Sequence, residues 1–277
     1  MCIISSSLSP SSSQESRTMM KELLLKALGR FGYRITRTGT ERLVVHYPPD
    51  RDPTPDLERE FLSLYEKCRA YTLTSIERMY ALYKAVEYIV KHGIPGDMVE
   101  CGVWRGGSSM LIASTLTEFN ATRRRLYLYD TYSGMSKPTE EDVDYTGNRV
   151  IESWEDGLEE SINRWNSIPL DEVKRNMSLT GYPGDNLVFV QGKVEDTIPA
   201  IVPQEIALLR LDTDFYESTY HELVHLFPRL SPHGVLIVDD YGHWKGARKA
   251  VDKYLAENSV EMLLQRIDYT GRIGVRP

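Results

Sequence analysis

Between Met98 and Val238 the chain alternates short apolar runs with stretches of helical periodicity, and two of those runs end in paired carboxylates. The runs are Met98 to Val103, Arg125 to Asp130, Leu187 to Gln191, Ile206 to Leu211 and Val235 to Val238. Apolar strands separated by helices predict a parallel sheet covered on both faces, an α/β doubly wound fold. Ala207-Leu-Leu-Arg-Leu211 runs into Asp212-Thr-Asp214, and Gly234-Val-Leu-Ile-Val238 runs into Asp239-Asp240-Tyr241. All four acids then share the rim at the carboxyl ends of the strands, where open α/β sheets bind ligands. Clustered carboxylates repel one another, so the group implies a cation or a reaction. Hard oxygen donors suit Mg²⁺, which keeps positions open for substrate. The plainer alternative is a set of polar strand ends that cap the following helices.

A chain of 277 residues, 41% hydrophobic and 26% charged, has room for one large α/β domain plus an added segment. Its net charge of −7 gives no electrostatic footprint for nucleic acid or an anionic membrane. No apolar run approaches the roughly 18 residues of a membrane span. The opening Met1-Cys-Ile-Ile lacks the length and basic flank of a signal peptide. Cys2, Cys68 and Cys101 form neither a disulfide framework nor a metal-binding pair, which predicts reduced thiols in the cytoplasm.

Residues 1–18 are dominated by serine and read as a disordered tail; residues 19–70 read as an N-terminal arm with helices. Within the arm, Lys21 to Phe31 is a short helix, Tyr33 to Tyr47 a small hairpin or extended segment, and Pro48 to Pro55 a linker. Residues 71–277 form the main domain. Thr74 to His92 has helical spacing, with Thr74 and Glu77 as a capping box and Gly93 at its stop. Further helices are predicted over Ser108 to Phe119, Trp154 to Trp165, Leu170 to Leu179, Ser218 to Phe227 and Lys245 to Asn258. A closing hairpin pairs Met262 to Ile267 with Arg272 to Val275. The acidic stretch Ser136 to Asn148, with Gly147 as a hinge, reads either as a lid over substrate or as a surface loop.

Val99-Glu100-Cys101-Gly102-Val103-Trp104-Arg105-Gly106-Gly107-Ser108 is a strand, a glycine turn and a helix start. Its glycines are spaced G-x-x-x-G-G, where a dinucleotide site has G-x-G-x-x-G. Glu100, two residues before Gly102, disfavours a pyrophosphate and favours a cationic amino-acid ligand. Asp130 ends the next strand and is placed to take ribose hydroxyls. That pairing points to S-adenosylmethionine rather than NAD, although Glu100 also reads as a core carboxylate and Asp130 as a helix cap. His221-Glu-Leu-Val-His225 matches a zinc-protease signature, but Phe227-Pro228 ends the helix at once and no third ligand follows at the required spacing. His243 and Trp244, just past the acid pair, read equally as acceptor contacts or as loop packing.

Taken together, Val-Glu100-Cys-Gly-Val-Trp-Arg-Gly-Gly, Tyr129-Asp130-Thr-Tyr-Ser-Gly134-Met, Leu-Asp212-Thr-Asp214-Phe-Tyr-Glu-Ser-Thr219 and Val-Asp239-Asp240-Tyr241 resemble the macrocin O-methyltransferase family from about Tyr71 onward. The resemblance implies a Rossmann-like class I methyltransferase sheet of seven strands, the last antiparallel. It implies a metal-dependent transfer of methyl from S-adenosylmethionine to a sugar hydroxyl of a natural product. By position it implies Asp212, Asp239 and Asp240 as Mg²⁺ ligands and Asp214 as general base. The methyl donor would be held by Glu100, Gly102, Ser108, Asp130, Ser133, Gly192 and Asp212. Val194 and Glu195 would flank its adenine, and Thr74 and Met79 would close over it. A homo-oligomer is also implied. Rival readings are a catechol O-methyltransferase, an NAD-dependent dehydrogenase, disfavoured by the glycine spacing, and a silent donor-binding protein.

Overall fold

The apolar runs form a seven-stranded sheet in a computed structural model that describes residues 34–38, 42–46, 56–156, 158–159, 162–163 and 166–277. The expected serine tail, the Lys21–Phe31 helix, the proline linker and Trp165 lie outside the described residues. The chain divides into two units, Met1–Leu57 and Glu58–Pro277. In the first, β1 (Arg34–Thr38) pairs antiparallel with β2 (Arg42–His46), Arg34 opposite His46.

The second unit begins with α1 (Arg59–Cys68), whose Phe61, Leu64 and Cys68 are buried, so this helix belongs with the sheet domain although the sequence reading set the boundary at residue 70. There follow α2 (Ile76–Lys91), β3 (Asp97–Cys101), α3 (Gly107–Glu118), β4 (Leu126–Asp130) and α4 (Val150–Asp156). A two-residue antiparallel pair, β5 (Leu158–Glu159) with β6 (Ile162–Asn163), occupies the span where a helix is predicted to continue to Trp165. The remainder is α5 (Leu170–Ser178), β7 (Leu187–Gln191), α6 (Val194–Thr197), β8 (Ile206–Leu211), α7 (Tyr216–Leu226), β9 (Leu230–Val238), α8 (Lys245–Glu257), β10 (Gln265–Arg266) and β11 (Arg272–Val275).

The strand order is β10-β11-β9-β8-β3-β4-β7. From β9 to β7 every pairing is parallel, and the last strand, β11, runs antiparallel against β9. The chain starts in the middle at β3, adds β4 and β7 on one side, then returns to add β8 and β9 on the other. The switch point therefore lies between β3 and β8, where a crevice opens outside the strand ends. Alternation along the strands sorts the side chains by face. Val99, Cys101, Leu209, Leu211, Leu236 and Val238 share a core with Leu223 and Leu226 of α7 and Val251 and Tyr254 of α8. The intervening Glu100 and Arg210 stand opposite each other in the β3–β8 register and point to the other face.

The predicted start of α2 shifts by one residue. Ser75, not Thr74, is the N-cap: its side chain accepts a hydrogen bond from the Arg78 backbone N–H. Thr74 Oγ1 instead lies 3.2 Å from an Arg210 guanidinium nitrogen. No helix among the described residues is long and apolar enough to cross a membrane.

Candidate active site

The parallel ladders carry the chain directly to the rim. The Asp212 N–H donates to the Cys101 carbonyl at 2.8 Å and the Asp239 N–H to the Leu211 carbonyl at 2.9 Å, so both acids sit at adjoining strand ends. Gly102 turns away from β3 at φ +84°, and a Cβ there would lie 1.9 Å from the Asp212 carbonyl oxygen. Only glycine lets the two rims approach so closely.

Beyond these ends lies a cleft of about 350 Å³. Thr74, Gly102, Ser108 and Asp130 line it together with all four acids, Asp212, Asp214, Asp239 and Asp240. A recess of about 70 Å³ adjoins it, sharing Gly102, Asp130 and Asp212 and adding Gly192 and Val194. Asp130 Oδ2 accepts from the Val103 and Trp104 backbone N–H groups at 2.7 and 3.0 Å, and Oδ1 from the Tyr132 N–H at 2.8 Å. The carboxylate thereby ties β4 to the glycine turn at the cleft wall, with Oδ1 the less occupied of its two oxygens.

Three of the expected donor residues are placed differently. Met79 is fully buried, because one helical step turns it into the core while Arg78 faces the cleft. Glu100 is also enclosed: it pairs with Arg210 at 2.6 Å and accepts the Ser109 hydroxyl, so it reaches the cleft only through Arg210. Ser133 is exposed, and it lines neither the cleft nor the recess. Glu195 stands beside Val194 at the start of α6 with one carboxylate oxygen, Oε2, buried and without a hydrogen-bond partner.

The acids fall into two groups. Asp212, Asp214 and Asp240 each offer an oxygen within 4.8 Å of the others, and Asp240 Oδ2 is buried with no hydrogen-bond partner. Asp239, expected as a metal ligand, is instead engaged by arginines: Arg210 meets its Oδ1 at 2.6 Å and Arg78 holds its Oδ2. Arg210, 1% exposed, also reaches Asp212 at 2.7 Å, and Arg78 continues to Asp268 at 3.0 Å. The site thus has a buried cationic floor that screens Asp239 and part of Asp212, and leaves Asp214 and Asp240 as a close pair that repels when both are ionised and is hydrogen-bonded when one holds a proton. Burial first, and then the neighbouring Asp212 charge, pushes Asp214 up to about 7. Asp240 is raised by burial and by Asp214 and Asp239, and Asp212 is raised by burial against the pull of Arg210.

Asp214 has a left-handed backbone, φ +69°, and its Oδ1 accepts the Trp244 indole N–H at 2.8 Å. That bond fixes the direction of the carboxylate and settles one role of Trp244. His221 and His225 of the zinc-like signature lie 4.5 Å apart between ring centroids with their planes tilted by 55°, and His221 Nε2 sits against the Ile198 carbonyl. The intervening Glu222 turns inward to Thr213, so the three do not converge as ligands.

Arg78 and Arg210 escape sequence reasoning, but Arg210 left a signal: a lone arginine inside a buried parallel strand needs a carboxylate partner. Arg78 left none.

Residues 57–273 match the family model described as Macrocin-O-methyltransferase (TylF). The chain is 33% identical to the Streptomyces olivaceus 8-demethyl-8-(2,3-dimethoxy-alpha-L-rhamnosyl)-tetracenomycin-C 4'-O-methyltransferase, over 93% of this chain and 92% of that one. It is 32% identical to the demethyldecarbamoylnovobiocin O-methyltransferase of Streptomyces niveus, over 73% and 74% of the two chains. Among solved structures, the O-methyltransferase NovP superposes with a TM-score of 0.67 at 31% identity, over 74% of this chain and 82% of that chain.

Proposed function

The chain belongs to the macrocin O-methyltransferase family and is an S-adenosylmethionine-dependent O-methyltransferase, and from that premise we propose that it methylates a sugar hydroxyl of a natural-product glycoside with Mg²⁺ at its acidic rim. The observation that carries this reading is the Asp212, Asp214 and Asp240 cluster opening into the cleft at the sheet's switch point. A relative named for a rhamnosyl-bearing substrate supports a deoxysugar as the acceptor.

The residues fit a hard divalent cation. Three carboxylates offer oxygen donors, and the unpartnered Asp240 Oδ2 is an acceptor that the protein itself leaves unsatisfied. Asp212 and Asp240 are the ligands we assign, with Asp214 beside them as the base and Asp239 holding the arginine floor. When bound, Mg²⁺ supplies positive charge that lowers the pKa of a neighbouring hydroxyl. The methyl donor fits the other half of the cleft. Asp130 lines it, with Oδ1 the less occupied oxygen for a ribose hydroxyl, Gly192 and Val194 border the recess for adenine with Glu195 next in the chain, and Gly102 and Ser108 border its amino-acid end. Its sulfonium supplies an electrophilic methyl group, which the surrounding carboxylates tolerate.

The chain's own contribution is position. Trp244 holds Asp214 so that an acceptor hydroxyl entering the cleft meets a carboxylate that takes its proton. Alignment of that oxygen is the larger effect, since positioning supplies on the order of 7–11 kcal/mol. Two buried free thiols, Cys68 and Cys101, agree with a cytoplasmic setting.

Calorimetric titration with S-adenosylmethionine and, separately, NAD, each with and without Mg²⁺, tests the site. Tight binding of the methyl donor with no NAD signal is expected. Asp240→Ala should abolish Mg²⁺-dependent turnover on rhamnosides and leave donor affinity nearly intact; undiminished turnover would remove the metal assignment.

A further inference from the structure

At the mouth of the cleft three loops bring together Tyr145, His243 and Tyr269, the latter two lining the cleft itself. Tyr145 lies 5.5 Å from His243 and 6.5 Å from Tyr269 between ring centroids, and His243 lies 5.9 Å from Tyr269. The planes are inclined at 56°, 70° and 79°, so Tyr269 meets the other two rings edge to face, Tyr145 and His243 are tilted to each other, and the three form a corner. Tyr145 is 53% exposed and Tyr269 56% exposed.

Their backbones, by contrast, are firmly held. Asp144 Oδ1 accepts from the N–H groups of Thr146, Gly147 and Asn148, and the Lys245 N–H donates to the Val143 carbonyl. On the other side the Gly242 N–H donates to the Thr270 carbonyl, and a Cβ on Gly242 would lie 2.0 Å from the Tyr269 carbonyl oxygen. Asp268 Oδ1 accepts from the Thr270 and Gly271 N–H groups, while its Oδ2 accepts from Ser75 and Arg78. Two aromatic rings fixed from below yet left in water, and continuous with a polar cleft, are the marks of a binding surface. A group bound there would pay little ordering entropy.

We infer that Tyr145, His243 and Tyr269 form the aglycone subsite of the acceptor, binding a flat, uncharged aromatic group while the attached sugar reaches the acids. The occupant is neutral because the charged groups beside the corner already have partners: Asp144 is hydrogen-bonded within its own loop, and Asp268 is held by Arg78, Ser75 and the Thr270 and Gly271 N–H groups. The subsite is continuous with the cleft through His243 and Tyr269, so a glycoside spans both. This inference rests on the sugar-methylating reading above.

The test uses two probes, 4-nitrophenyl α-L-rhamnoside and methyl α-L-rhamnoside, titrated by ligand-observed NMR against the wild type, Y145A/Y269A and Y145F/Y269F. The wild type should bind the aryl glycoside on the order of tenfold more tightly than the methyl glycoside. That advantage should vanish in the alanine pair and return in the phenylalanine pair, with S-adenosylmethionine affinity constant throughout. An aryl-to-methyl ratio unchanged in Y145A/Y269A, or near one in the wild type, overturns the subsite. Methyl transfer measured on the same samples separates the two readings: an aryl advantage without turnover counts against the sugar acceptor and leaves the aromatic subsite standing.

Discussion

Arg210 shows how a single residue organises this site. It lies in the apolar strand β8 at 1% exposure, bonded to Glu100, Asp212, Asp239 and Thr74. A buried charge of this kind is not an economical way to stabilise a fold, but removing one partner strands the others. Arg210→Met leaves Glu100 and Asp239 inside the protein with less compensation, a loss of about 3–5 kcal/mol. The melting temperature should then fall by roughly 10 °C. Arg210→Lys should recover little of it, because a point ammonium cannot reach three carboxylates in a fork. Glu100→Gln should be milder, since an amide still meets Ser109 and Arg210. Melting curves of the three variants check the order, and a wild-type-like Arg210→Met would refute the cationic floor. The four rim acids are legible in the sequence because each pair directly follows its own strand. The partner of Asp239 is not legible, because Arg78 comes from a helix 161 positions earlier and only the finished sheet brings them together.

At the scale of elements, the strands and helices of the sheet are legible because burial on both faces writes them as apolar runs. The 136–149 segment is harder, since its order comes from two carboxylates rather than from periodicity. Asp142 Oδ1 accepts from the Tyr216 N–H at 2.7 Å, tying the segment to α7. Asp144 then closes a turn around itself: Thr146 first, and next Asn148, hold its carboxyl below the ordinary carboxylate range by hydrogen bonding. Because the folded carboxyl is the stronger acid, the turn's contribution is present above the unfolded value of about 3.9 and fades as the pH falls through the lower folded value. Amide exchange at Gly147 and Asn148 should therefore be slow and its protection constant from pH 8 to 5, with loss only in stronger acid. Asp144→Ala should lose that protection already at pH 7. Equal protection in the variant would mean that the segment is ordered by something other than this carboxylate. The short end of α4 at Asp156 and the β5–β6 pair have no signal in the periodicity, because Trp154 and Trp165 mimic a continuing helix.

For the whole molecule the acid cluster sets function against stability. Asp240 is buried, carries an oxygen with no hydrogen-bond partner, and is raised by burial and by Asp214 and Asp239. A protein selected only for stability would not keep this arrangement, so neutralising one member should make the empty protein melt higher. Asp240→Asn does so with little change in shape, and its amide can donate to Asp214, which an ionised Asp240 cannot. On the proposed assignment, bound Mg²⁺ would relieve the same repulsion in the wild type by mass action. At one hundred times its Kd, binding adds about 2.7 kcal/mol, which for a chain of this size raises the melting temperature by roughly 5–10 °C. The variant should therefore start above the wild type without Mg²⁺ and respond to it hardly at all, while both respond alike to S-adenosylmethionine, whose proposed contacts follow β3, β4 and β7. Thermal melts of both proteins, alone, with Mg²⁺ and with S-adenosylmethionine, decide it. A variant that melts lower and still gains from Mg²⁺ would mean that Asp240 is a structural acid and that the cation, if the protein binds one, sits elsewhere on the rim.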